Sequence, residues 1–278
     1  MNAAAERETQ TRRAIARRVV QHLAANTDLR ASILAGSAAL GTSDEHSDID
    51  LLNYYEELPD PIVFAVLMRR LGAEPMGGIT PPRPEGFAVN YRLEGIEVQT
   101  GAQLIAGLER RLDRIAAGDV DWITSKVAMG LQEGLPLHGD DLVRTWQERA
   151  AYPDSLRRRE VEANLGFFAI WTINDHLAAR DAELFRRQML LDGAFRVLAI
   201  LSAVNRLYFT TFQFKRARGH SARMAVSPGR LAERLDRVAN TAPSAAAEEL
   251  RTLVDDTKAI VRLEFPDLDV DASWRPMT

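Results

Sequence analysis

Gly36-Ser37 and, eleven residues further on, Asp48-Ile49-Asp50 are the residues of this chain best suited to chemistry. In an extended segment side chains alternate between faces, so carboxylates at i and i+2 point the same way while Ile49 and Leu51 point the other. Two carboxylates on one face can hold divalent cations such as Mg²⁺. A glycine-serine turn lets backbone donors come close to phosphate oxygens. A nucleoside triphosphate with its metal ions needs both features.

These residues need a scaffold, and the neighbouring sequence supplies one. The apolar run before Gly36 predicts a strand over Ala31–Ala35, and Asp48–Leu52 reads as a second strand. Pro61–Leu71 reads as a helix, with Asp60 as N-cap and Pro61 at the first helical position. Met76–Glu85 is rich in proline and glycine and reads as a loop. Phe87, Val89, Tyr91 and Leu93 then alternate with small or polar residues, Glu94-Gly95 supplies a two-residue turn, and Ile96-Glu97-Val98 begins a return strand. If Ile96 and Val98 face the core, Glu97 faces the same side as Asp48 and Asp50. It becomes a third carboxylate from a neighbouring strand. Glu94, its nearest rival, stands in the turn.

The remaining sequence bounds the fold. The chain has 278 residues, 46% hydrophobic and 27% charged, which is enough for one large domain or two ordinary ones. Its net charge of −4 argues against a protein that coats DNA or RNA. The absence of cysteine rules out disulfides and thiolate metal sites, and the five histidines show no metal-ligand spacing. Glu6–Leu23 carries Ile15, Val19, Val20 and Leu23 at helical spacing, so the N-terminus is expected to be a packed helix and not a targeting segment. No apolar run approaches the ~18 residues of a membrane span, and a soluble, cytoplasmic protein is expected. From Gln103 the pattern is almost continuously helical, with segments near 102–117, 121–134, 140–150, 156–180, 181–214, 228–239 and 244–263. Arg157-Arg158-Arg159 and Arg186-Arg187 read as solvated helix faces, and the last ten or so residues as a loose tail. The expected fold class is α+β: a small mixed β-sheet domain over residues 1–105, with its N-terminal helix, followed by an α-helical bundle domain over 106–278.

Two separated parts of the sequence agree on a family. A strand, Gly36-Ser37, a polar loop beginning Ala38-Ala39-Leu40-Gly41, and Ser47-Asp48-Ile49-Asp50-Leu51-Leu52 as the next strand together resemble the polymerase-β-like nucleotidyltransferase superfamily. In style the chain is similar to the antibiotic nucleotidyltransferases of aminoglycoside and lincosamide type and to uncharacterised bacterial relatives. The resemblance implies that Gly36, Ser37 and Ser47 bind the nucleotide, and that Asp48 and Asp50 ligate two Mg²⁺ ions. Ile96-Glu97-Val98 is similar to the strand that carries a general base in the aminoglycoside-modifying members, and to a third metal ligand in others.

The implied activity moves a nucleoside monophosphate, AMP from ATP in the first instance, to a hydroxyl of a small-molecule acceptor, an antibiotic among the candidates. A protein or tRNA acceptor, or a silent nucleotide-binding module, are the alternatives. The acidic charge leans against tRNA, and the intact Gly36, Ser37, Asp48 and Asp50 lean against a silent module. In the helical half, Asn205-Arg206-Leu207-Tyr208-Phe209 with Lys215 and Arg216 is similar to a helix of uncharacterised relatives. Lys215 is the nominated triphosphate clamp, against the competing explanation of a solvated helix end. One departure stands out. Asn53-Tyr54-Tyr55 replaces the usual aliphatics, which implies a shorter strand or a partly exposed edge.

Overall fold

The computed structural model describes residues 3–77, 84–212 and 214–275. They divide into one unit of Met1–Asp119 with Val127–Ala151 and a second of Val120–Lys126 with Tyr152–Thr278. The fold is α+β, a mixed sheet with its helices followed by a helical region. Among the described residues no helix is long and apolar enough to cross a membrane.

In the first unit the strands are β1 (Ala31–Ala35), β2 (Ile49–Tyr55), β3 (Glu74–Pro75), β4 (Gly86–Leu93), β5 (Ile96–Leu104) and β6 (Leu135–His138). They form one sheet in the order β3-β4-β5-β2-β1-β6. Among the described strands only β2 and β5 are parallel neighbours. The helices are α1 (Ala3–Asn26), α2 (Gly36–Leu40), α3 (Pro61–Arg70), α4 (Ile105–Ala116), α5 (Trp122–Glu133), whose first turn belongs to the second unit, and α6 (Asp140–Arg149).

The expected alternation is the observed one. Phe87, Val89, Tyr91 and Leu93 are buried with Leu34, Ile49, Leu51 and Val98 against α1 and α3. Asp60 caps α3 as expected, its Oδ1 accepting from the backbone N–H of Ile62 at 2.7 Å and of Val63 at 3.2 Å. Of the expected loop Met76–Glu85, residues 78–83 lie outside the described residues.

The Asn53-Tyr54-Tyr55 departure neither shortens β2 nor exposes it. β2 is a central strand and all three side chains are buried. Asn53 accepts from Ser32 Oγ at 2.8 Å and donates to Thr100 Oγ1 at 2.8 Å and to the Gly101 carbonyl at 2.9 Å. It thereby joins three strands through one satisfied amide. Tyr54 packs edge-on to Trp146 of α6, 5.0 Å between ring centres, and the Trp146 indole donates to Glu109 of α4 at 2.7 Å. These contacts and the pairing of β6 with β1 attach residues 106–119 and 127–151 to the sheet, beyond the expected border at 105. The segment from Gly134 to Gly139, expected as a break between helices, holds β6. A four-residue strand containing proline carries no alternation that a pattern search can detect.

The second unit contains α7 (Asp154–Asn164), α8 (Ile170–Ala178), α9 (Glu183–Val204), α10 (Ala217–Ser221), α11 (Leu231–Asn240) and α12 (Pro243–Glu264). The central α9 buries residues around much of its circumference, including Leu190, Val197 and Leu201, against α12 and α11.

Several expectations are corrected here. The helix expected over 156–180 is interrupted at 165–169, where Gly166 has no room for a Cβ against the backbone of Ser273 and Trp274. The C-terminal segment that makes this contact is therefore packed, with Val270 buried and Trp274 lying 5.3 Å from Phe168. The helix expected over 181–214 stops at Val204. The Asn205 side chain donates to the carbonyls of Leu201 and Val226, both at 2.7 Å, and accepts from Val226 N–H at 2.9 Å, competing with further helix. Nor are the arginine runs simply solvated. Arg186 is buried and donates to Asn174 Oδ1 at 3.0 Å, and Arg157 lies 4.6 Å from the centre of the Phe265 ring.

His220 of α10 is buried, 2.8 Å from Ser202 Oγ, beside the rings of Phe209 and Phe214. Burial, reinforced by the charge of Arg223, holds its pKa down to about 4, below its ordinary value near 6.5. Above the ordinary value this has no effect on stability. As pH falls below it, the unfolded chain takes up a proton that the folded chain refuses, and stability declines until about pH 4. The loss is expected to be on the order of 3 kcal/mol. Urea unfolding at pH 7 and pH 4.5 checks it: wild type should lose clearly more stability than His220→Gln. Equal losses would contradict a neutral buried imidazole.

Candidate active site

The antiparallel register of β1 and β2 sets Ala35 opposite Asp50. The chain leaves β1 at Gly36 with φ of +66°, a left-handed conformation that glycine adopts without strain. A Cβ on Gly36 would overlap Asp50 Oδ2, so the hydrogen in its place is what lets backbone and carboxylate approach. The expected polar turn continues as the short helix α2. Its last carbonyls are held by Arg13, which donates to Ala38 O at 2.8 Å and Ala39 O at 2.7 Å.

The loop to β2 is fixed from α1 as well. Arg12, buried, donates to Ser47 O at 2.7 Å and Glu45 O at 3.3 Å, with Glu8 at 2.5 Å balancing its charge. The Ser37 and Ser43 hydroxyls lie 3.3 Å apart. Ser47 Oγ donates to Asp44 Oδ1 at 2.8 Å and accepts from Asp44 N–H at 3.0 Å, which occupies this predicted nucleotide ligand within its own loop. Sequence reasoning missed Arg12 and Arg13. The signal was present, because Arg12 lies one turn before Ile15 and Ala16 on the buried stripe of α1.

The third carboxylate arrives through β5. Ile49 pairs with Val98 and Asp50 with Gln99 in the parallel ladder, while Asn90 of β4 pairs with Gln99 and Arg92 with Glu97. Ile49 and Val98 are buried against α1 and α3, so Asp50, Glu97 and Gln99 occupy the opposite face, where Asp48 also sits. Gln99 Nε2 donates to Asp48 Oδ2 at 3.0 Å and to Glu97 Oε1 at 3.2 Å, and Asn90 Nδ2 reaches the same Glu97 oxygen at 3.2 Å. All three carboxylates are half-buried. A cavity of about 190 Å³ opens beside Asp50, bordered also by Leu52, Ala88, Asn90, Gln99 and Gln103.

Gly36, Ser37, Ser47, Asp48, Asp50 and Glu97 thus belong to one part of the first unit. Lys215 belongs to the second unit, in an exposed segment between α9 and α10 and not on a helix.

The residues fit a magnesium-bound triphosphate. The donors are all carboxylate oxygens, as a hard cation requires, and the cradle at Gly36 is closed to any side chain. Among the described residues no group of three or more His, Cys, Asp or Glu side chains is placed to hold a metal ion, Asp48, Asp50 and Glu97 included. Mg²⁺ does not need such a group, since it keeps waters and commonly takes one or two carboxylates plus substrate phosphate.

Gly36→Ala is expected to lower folding stability by about 1–2 kcal/mol and to weaken magnesium–triphosphate binding. Gly72→Ala is the control, because Gly72 also has positive φ, +82°, but no atom near a Cβ. Melting and triphosphate titration of both variants should show destabilisation in each, at least as large in Gly36→Ala, and a binding loss only in Gly36→Ala.

No protein-family model matches the chain, and no curated protein does. Among solved structures it is similar to a nucleotidyltransferase-like protein from Exiguobacterium sibiricum, at 13% identity over 93% of this chain and 77% of that one, with a TM-score of 0.35. That likeness is too slight to carry anything from one chain to the other.

Proposed function

We propose that this protein is a Mg²⁺-dependent nucleotidyltransferase that moves a nucleoside monophosphate, AMP from ATP in the first instance, to a hydroxyl of a small-molecule acceptor. The observation that carries the proposal is the placement of Asp48, Asp50 and Glu97 on one sheet face, with a side-chain-free turn at Gly36 against Asp50. Asp48 and Asp50 would hold the metal. When bound, Mg²⁺ supplies the positive charge that neutralises triphosphate oxygens as the transfer proceeds.

This chain's own residues do the rest. Backbone N–H groups at Gly36-Ser37 and the Ser37 hydroxyl donate to phosphate oxygens on the β1 side of Asp50. Glu97 lies on the β5 side and takes the proton of the acceptor hydroxyl. The acceptor oxygen bonds to the α-phosphorus, the bond from that phosphorus to the bridging oxygen breaks, and pyrophosphate leaves with the electron pair. In-line displacement needs attacking and leaving oxygens on opposite sides of phosphorus. The strand order, with β1 on one side of β2 and β5 on the other, offers such an arrangement.

The cavity beside Asp50 is smaller than the ~300 Å³ at which drug-sized sites begin, so it suits one portion of an acceptor. Asp50, the one charged residue on its border, favours a neutral or cationic hydroxyl compound, such as an aminoglycoside-type antibiotic, over a polyanion such as tRNA.

Label transfer tests the proposal. The protein is incubated with each α-labelled nucleoside triphosphate, Mg²⁺ and a panel of amino and neutral polyols. Pyrophosphate release with label on an acceptor is expected. Labelled nucleoside diphosphate with unlabelled acceptors would point to transfer of the γ-phosphoryl group instead.

A further inference from the structure

Gln99 is the cross-strand neighbour of Asp50 on one side and of Asn90 on the other. Its amide lies between two carboxylates, and only an NH₂ group can satisfy both, because carboxylates accept and do not donate. The 3.0 Å bond to Asp48 and the 3.2 Å bond to Glu97 tie the entrance of β2 to β5. Asn90 adds a second donor to the same Glu97 oxygen.

The charge of these donors matters as much as their reach. An arginine or lysine here would orient the carboxylates but would also neutralise them and compete with a divalent cation. An amide orients them and leaves their negative charge intact. Each carboxylate also keeps an oxygen beyond the one Gln99 engages.

We infer that Gln99, supported by Asn90, is a positioning residue that presets Asp48 and Glu97 for metal and triphosphate without neutralising them. This rests on the proposed magnesium–triphosphate site. Side chains that orient metal ligands typically contribute 10–100-fold in metal affinity. Asp48 and Glu97 are half-exposed, so without Gln99 their oxygens turn to water and the free protein is expected to melt as before.

The test is Mn²⁺ titration in the presence of inorganic tripolyphosphate, followed through the spin-resonance signal of free Mn²⁺. This probe needs neither a base preference nor an acceptor. Gln99→Leu should bind Mn²⁺ 10–100-fold more weakly than wild type, with an unchanged melting temperature of the free protein. Gln99→Met, which keeps the length and drops the donor, replaces Gln99→Leu if the latter folds poorly.

Binding within threefold of wild type would overturn the inference while leaving the site intact. If wild type itself retains no Mn²⁺–tripolyphosphate, the proposed site fails and the inference fails with it.

Discussion

Asp50→Asn is expected to abolish Mg²⁺-dependent binding of nucleoside triphosphate, and Asp48→Asn to do the same. Each substitution keeps the shape of the side chain and removes its charge, so two anionic groups become one where a dication and a triphosphate must meet. Loss of a ligand should exceed the 10–100-fold effect of losing a group that merely orients one, so a weakening of more than ~100-fold is expected. Neither aspartate is deeply buried. Folding stability should therefore stay within about 0.5 kcal/mol of wild type, which separates lost binding from lost structure. Calorimetric titration of ATP with Mg²⁺ into wild type and both variants reads the effect. Retention of wild-type affinity in either variant would remove that residue from the metal site.

Glu97→Gln should behave differently. If Glu97 takes the acceptor proton, its amide keeps the volume, loses the basicity, and should slow transfer by ~10²–10⁴-fold. Triphosphate binding should persist, because Asp48 and Asp50 remain. Single-turnover transfer measured beside triphosphate affinity separates two roles. A fall in rate alone marks the base, whereas a parallel fall in affinity marks a third metal ligand. Wild-type turnover would assign Glu97 neither role.

Much of this was readable without coordinates, for identifiable reasons. β1, the β4–β5 hairpin and α3 each carry a local signal: an apolar run, strict alternation about a two-residue turn, and an Asp-Pro start. The placement of Glu97 followed from the same alternation, since a strand gives its side chains only two directions.

What escaped depends on distant partners. Arg12 owes its burial to carbonyls more than thirty residues away, and Gln99 owes its interest to Asp48, in the loop that leads into β2. β6 is a strand only because β1 has a free edge beside it. α9 ends at Val204 because Asn205 finds Val226, a contact invisible to helical periodicity. The Asn53-Tyr54-Tyr55 segment misled for the same reason. A polar residue in a central strand is costly only when unpartnered, and Ser32 and Thr100 supply the partners.

The most direct measurement is the thermal stability of wild type and Asp50→Asn with each of the four nucleoside triphosphates, with and without Mg²⁺. Saturation at ~100 times the dissociation constant stabilises the folded state by ~2.7 kcal/mol, enough to move a melting curve visibly. A Mg²⁺-dependent rise for at least one nucleotide, absent in Asp50→Asn, is the predicted result, and it also identifies the preferred base. The same curve for wild type with and without every nucleotide, or a rise that persists in Asp50→Asn, would contradict a metal–triphosphate site built on this aspartate pair.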